Sequence, residues 1–216
     1  MVTRGDARRE QILYAAMMVF ADHGYHRASL AGIAEHVGIS QAGLLHHFPT
    51  KSHLLTAVLE ARDRLDREWL ADLDLGSRSG PHLLVALLRL VDRNRRLGGL
   101  AQIYTALSGE SVTDDHPARP WFADRYGRVT ASIEDGLRAG ADGLRPEVDH
   151  ALLAREVVAV LDGLQLQWLL RPEEVDMVAV FRDYATRLIR SVAVDPEPVV
   201  ALLASAVPVP LVANAG

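Results

Sequence analysis

A chain of 216 residues with 49% hydrophobic and 24% charged side chains has room for one good core, or for a small module joined to a larger one, and lacks the composition of a disordered chain. The absence of cysteine excludes disulfides, thiolate chemistry and cysteine metal sites, and no uninterrupted apolar run reaches transmembrane length. A formal net charge of −5 is awkward for a DNA binder unless basic groups concentrate at the contact face.

Residues 1–12 mix Arg with Asp and Glu and lack the apolar stretch of a signal peptide, so a cytoplasmic location is expected. Ala7 to His23 reads as a first helix with an apolar stripe of Ile12, Leu13, Ala16, Met17 and Phe20, stopped by Gly24. Ser29 is placed to cap a short second helix that buries Leu30, Ile33, Ala34 and Val37. Gly38 permits a reversal, Ser40 caps a third helix from Gln41 to His47, and Pro49 helps end it. Two short helices with Gly at the bend have the outline of a helix-turn-helix, an outline that generic helical hairpins share. Between Met1 and His53, five basic side chains stand against four acidic ones, a formal +1, with His23, His26, His36, His46, His47 and His53 able to add charge near phosphate.

A long helix follows from Lys51 to Asp72, with Leu54, Val58, Ala61, Leu65 and Trp69 toward one side. Residues 73–81, rich in Gly and Ser, form a break. Helices are expected near His82 to Arg95, Gly98 to Leu107 and Trp121 to Ala139, with a turn-rich stretch from Gly109 to Pro120 and a break from Gly140 to Pro146. Asp149 to Leu170 and Glu173 to Val192 are the clearest body helices, Pro172 being well placed before the second. From Asp195 the chain is rich in Pro, Val, Ala and Leu without a clear period; it either drapes over the body or is disordered. The predicted architecture is all-α with about nine helices. A three-helix helix-turn-helix domain (1–50) precedes a helical effector-binding and dimerisation domain (51–194) and a C-terminal tail (195–216).

The segment Tyr25 to Lys51, YHRASLAGIAEHVGISQAGLLHHFPTK, closely resembles the N-terminal domain of the TetR family of repressors, and ISQAGLLHHFPTK is its most specific portion. Close resemblance covers about the first 60 residues; beyond them the match is one of helical layout. It implies an all-helical homodimer whose long fourth helix links an effector pocket to the DNA-binding head. By position, Ser29 falls where the family usually has a phosphate-approaching Thr cap. Gln41, Ala42 and Gly43 open the recognition helix, His46 and His47 follow, and Lys51 matches a phosphate-contacting Lys. Leu45 stands where Tyr is frequent and Gly43 where Thr is usual, so two common contacts are missing.

Physical chemistry supports the same roles. Gln41 can offer a donor and an acceptor side by side to adenine, Ala42 can meet a thymine methyl, and Gly43 allows close backbone approach. Arg27, Ser29, His46, His47 and Lys51 would position the duplex rather than read it. One short helix reads too few bases, so a symmetric dimer on a palindrome is the natural remedy. Trp69, Gln102, Tyr104, Trp121, Phe122, Tyr126 and Gln165 are candidates for an apolar or amphipathic effector pocket, although most aromatics in such helices are simply core. Leu161, Leu164, Trp168, Phe181 and Leu188 are candidate dimer contacts, since the resemblance places the interface on the last two body helices. No catalytic set is present: Ser108 and Ser111 lack a nucleophile-elbow context, and carboxylates are scattered. Asp114, Asp115 and His116 have no spaced partner for a metal, so a solvated loop is the better account; no metal or cofactor is expected. The expected partners are double-stranded DNA, a small effector and a second copy of the chain, with no membrane. The reading is a ligand-released repressor; the alternative is a helical ligand-binding or protein-interaction module that no longer reads DNA well.

Overall fold

The computed structural model describes residues 4–72 and 79–206. The described residues form ten α-helices: α1 Arg4–Arg27, α2 Leu30–Val37, α3 Gln41–His47, α4 Lys51–Asp72, α5 Leu83–Arg96, α6 Gly98–Glu110, α7 Arg119–Ala139, α8 His150–Leu170, α9 Met177–Val192 and α10 Glu197–Ser205. Single 3₁₀ turns at Gly80–His82 and Ala141–Gly143 precede α5 and follow α7. The fold is all-α, as the helical periodicity and the absence of alternation require. Its one described β feature is an antiparallel bridge between Leu144 and Ala193.

The chain divides into two compact units, residues 4–69 with 99–124 and residues 70–98 with 125–206. In the first, α1 buries Ile12, Leu13, Ala16 and Phe20, and α4 buries Leu54, Leu55, Val58 and Leu59. Local chemistry sets the short helices. Ser29 Oγ accepts the Gly32 N–H at 3.0 Å to start α2, and Ser40 Oγ accepts the Gly43 N–H at 3.1 Å to start α3. Gly38 ends α2 in the left-handed region (φ 71°, ψ 37°). Gly24, where Gly was expected to end the first helix, is a break with φ 70° and ψ 177° after which one further helical turn runs to Arg27. Arg62 of α4 is fully buried, pairs with Asp66, and holds its guanidinium 5.1 Å from the Tyr104 ring centre.

The second unit is built on α5 and α9. Leu84, Leu88 and Val91 of α5 are buried, as are Phe181, Ala185 and Ile189 of α9. The start of α9 differs from expectation: Pro172 to Glu174 form a turn, and the helix begins only after Asp176. There the Asp176 carboxylate accepts the N–H groups of Val178 (3.1 Å) and Ala179 (3.0 Å). Asp149 opens α8 in the same way, accepting from Ala151 and Leu152 at 3.0 Å each. Asp149→Ala and Asp176→Ala should each lower stability by about 1 kcal/mol and add when combined, because separate helix starts share no partner; chemical denaturation at matched conditions checks this. The apolar C-terminal stretch contains a helix, α10, that buries Val199 and Leu203 and packs on α9 and α5.

Candidate functional site

In the first unit, α2, the Gly38 turn and α3 form the predicted helix-turn-helix. Leu44 of α3 is 0% exposed and Phe48, just beyond it, is buried, so the inner side of α3 is anchored in the core. Arg9 places its guanidinium 4.9 Å from the Phe48 ring centre. The opposite side is open: Gln41, Ala42 and His46 are exposed, while Gly43, Leu45 and His47 are half-buried. Arg27 and Ser29 are exposed as well, with Arg27 Nε 3.4 Å from the His23 carbonyl. The polar and small side chains proposed for base reading thus share the accessible start of one helix.

Lys51, expected to contact phosphate, has partners within the chain. Its ammonium donates to the His26 carbonyl at 3.2 Å and lies 4.4 Å from the Tyr25 ring centre. Burial lowers its pKa from the ordinary lysine value, and the nearby Glu110 carboxylate opposes that shift. Glu110 in turn accepts the Tyr25 N–H at 2.8 Å. His116 sits beside it, ring centres 5.2 Å from Tyr25 and 5.5 Å from His26. Asp114 and Asp115 are exposed as a solvated loop would have them, but His116 is only 2% exposed. Burial holds its pKa below the ordinary histidine value, against the raising influence of Glu110. This cluster had no signal in the sequence, because its members come from the end of α1, the end of α6 and the loop after it.

Five of the seven candidate effector residues lie in the first unit. Gln102 donates to the Ala21 carbonyl at 2.9 Å. Tyr104, Trp121 and Phe122 form one aromatic cluster, Tyr104 stacked on Trp121 at 6.1 Å and Phe122 edge-on to Trp121 at 5.0 Å. Trp69 is half-buried in the same unit. Tyr126 and Gln165 belong to the second unit, where Tyr126 donates to Asp162 at 2.7 Å and Gln165 accepts from Asn94 at 3.5 Å. An apolar cavity of about 10 Å³ between α5, α7, α8 and α9 has room for one water at most, and none of the seven lines it.

The five dimer candidates lie mostly inside the single chain. Leu164, Trp168, Phe181 and Leu188 are each 9% exposed or less within a single chain, and Leu161 is half-buried. Side chains already packed into their own core are not available to a partner. The large apolar residues exposed on α8 and α9 are Leu152 (65%), Leu166 (46%), Leu170 (73%) and Val180 (49%). On α8, Leu152, Ala159, Gly163, Leu166 and Leu170 follow helical spacing and form one stripe.

Comparison with known proteins covers both parts of the chain. The family model for bacterial regulatory proteins of the tetR family matches residues 12–58, and that for the C-terminal part of BetI-type transcriptional repressors matches residues 82–190. The HTH-type transcriptional repressor Rv1474c of Mycobacterium tuberculosis is 30% identical over 187 residues, 85% of this chain and 94% of that protein. The HTH-type transcriptional regulator TtgR of Pseudomonas putida is 29% identical over 178 residues, covering 79% and 84%. A transcriptional regulator from Saccharomonospora viridis, solved in complex with choline, superposes with a TM-score of 0.71 at 25% identity, covering 87% of this chain and 98% of that one.

Proposed function

The chain belongs to the TetR family of transcriptional regulators, and from that premise we propose that it is a repressor released from a palindromic operator by a small apolar or amphipathic effector. The family is one of regulators, not enzymes. Among the described residues, no helix is long and apolar enough to cross a membrane. The observation that carries the proposal is the capped α3, whose start leaves Gln41 and Ala42 exposed while Leu44 pins its other side.

Gln41 reads a base edge, Ala42 and Gly43 let the helix approach closely, and Arg27, Ser29, His46 and His47 position the phosphates. Lys51 joins them by exchanging the His26 carbonyl for a phosphate oxygen. Two heads on one dimer would meet successive major grooves about 34–36 Å apart. An effector releases them only if it binds the non-operator state more tightly. Small organic ligands suit such a body, as the choline complex of the Saccharomonospora viridis relative illustrates.

The test is a gel-shift titration at modest salt against the DNA upstream of the chain's own gene. Gln41→Ala should weaken binding by about 10-fold or more, the worth of one lost bidentate base contact. An unchanged affinity would favour the second reading, a ligand-binding module with little sequence preference. Lys51 turned inward and a nearly neutral head are what speak for that reading.

A further inference from the structure

We propose that His26, Glu110 and His116 form a binding site for a divalent transition metal of the zinc class. One ligand atom from each lies within 4.8 Å of the others. Two imidazoles and a carboxylate are a donor set that zinc accepts with a water in the fourth position. The carboxylate is held in place beforehand, because Glu110 accepts the Tyr25 N–H at 2.8 Å. His26 is exposed, so its ring can turn inward to shorten the donor spacing toward the ~3.3 Å that bonds of about 2.0–2.1 Å in a tetrahedron require.

A second observation points to a ligand independently of this grouping. The His116 side chain is fully buried, and its Nε2 makes no hydrogen bond of ordinary geometry, its contact with Glu110 Oε2 being a long 3.5 Å. Buried ring nitrogens are normally satisfied. On the other side of the ring, Ser111 Oγ lies 3.0 Å from Nδ1 and donates its own proton to the Leu107 carbonyl at 2.6 Å. With the proton on Nδ1, donated to Ser111, the Nε2 lone pair faces the Glu110 carboxylate. A cation between them resolves the clash of two acceptors.

The Ala118 N–H, 3.2 Å from Nδ1, serves the other tautomer, with the proton on Nε2. The ring thus has contacts for both states: Ala118 for the metal-free one, and Ser111 for the metal-bound one. An Nδ1–H anchored on an outer partner is the usual arrangement of a metal-bound imidazole. Lys51 adds a positive charge at Tyr25 and His26, and the Glu110 carboxylate offsets it. An occupied site would staple the loop after α6 to the joint from which the helix-turn-helix begins. The proposal is independent of operator and effector identity.

Untagged full-length protein, stripped with chelator, is titrated with Co²⁺ and then with Zn²⁺. The expected result is one Co²⁺ per chain, with the visible absorption of a low-coordinate cobalt site that Zn²⁺ abolishes. Losing a direct ligand costs at least what losing an outer partner does, so His26→Ala should weaken Co²⁺ binding at least ~10-fold. That variant keeps the fold, since His26 is exposed, and Glu110→Gln should weaken binding similarly. The proposal is overturned if the wild-type chain gives no such absorption, or if His26→Ala binds Co²⁺ as the wild type does, which would place the metal on other histidines.

Discussion

Gly24→Ala should lower stability by about 3 kcal/mol, roughly 6–12 °C in Tm for a chain of this size, although it adds only one methyl group. Two separate costs combine. At φ 70° and ψ 177° the backbone occupies a region open almost only to glycine, at about 1–3 kcal/mol for any other residue. An added Cβ would also overlap the Glu110 carboxylate, displacing the acceptor of the Tyr25 N–H. A hydrogen bond to a charged group is worth about 1.5–3 kcal/mol.

Gly38→Ala is the internal control. Gly38 has nearly the same φ, 71°, but nothing lies within 4 Å of its would-be Cβ. Its cost should be the left-handed conformation alone, about 1 kcal/mol. Chemical denaturation in the presence of chelator separates the two. In a Glu110→Ala background, the Gly24→Ala penalty should shrink to the backbone share. If Gly24→Ala costs no more than Gly38→Ala, the carboxylate contact has no energetic role.

Ser29, Gly38, Ser40 and Pro49 act on their immediate neighbours, so α2 and α3 were legible to the residue. At α9 two local signals competed. Pro172 suits a first helical turn, but the Asp176 carboxylate satisfies two N–H groups and set the start four residues later than Glu173. The tail was opaque because nine helical residues with Val199 and Leu203 buried offer too few turns for a period.

Tertiary placement was the least legible. Periodicity identified the apolar residues of α8 and α9, but could not assign each stripe to the chain's own core or to a partner; Leu164 and Phe181 went to the core. His116 follows two exposed aspartates and looked solvated, whereas Tyr25 and His26, from far along the chain, close over it together with the nearby Glu110. Exposure at the start of α3 was easier to read, since it follows from the cap and the single anchor Leu44.

Replacing both Leu166 and Leu170 with Asp should convert a dimer into a monomer and cost about 10²–10⁴-fold in operator affinity. The two leucines are 46% and 73% accessible, with Leu152 further along the same stripe of α8. Ala159 and Gly163 between them keep the stripe low, and nothing lies within 4 Å of a Cβ added at Gly163, so a second helix can approach closely. Like charges placed on both sides of a two-fold interface repel each other and lose their water if the interface forms. The single chain should be indifferent, because neither side chain belongs to its core, so circular dichroism and Tm at low concentration should barely change. The DNA effect follows from linkage: a dimer makes the second half-site contact intramolecular, and a monomer pays for it afresh. Analytical ultracentrifugation gives the oligomeric state and a gel shift on intact and half operators gives the affinity. A variant that stays dimeric would move the interface off this face of α8. A monomeric variant with undiminished affinity for the intact operator would sink the paired-head model itself.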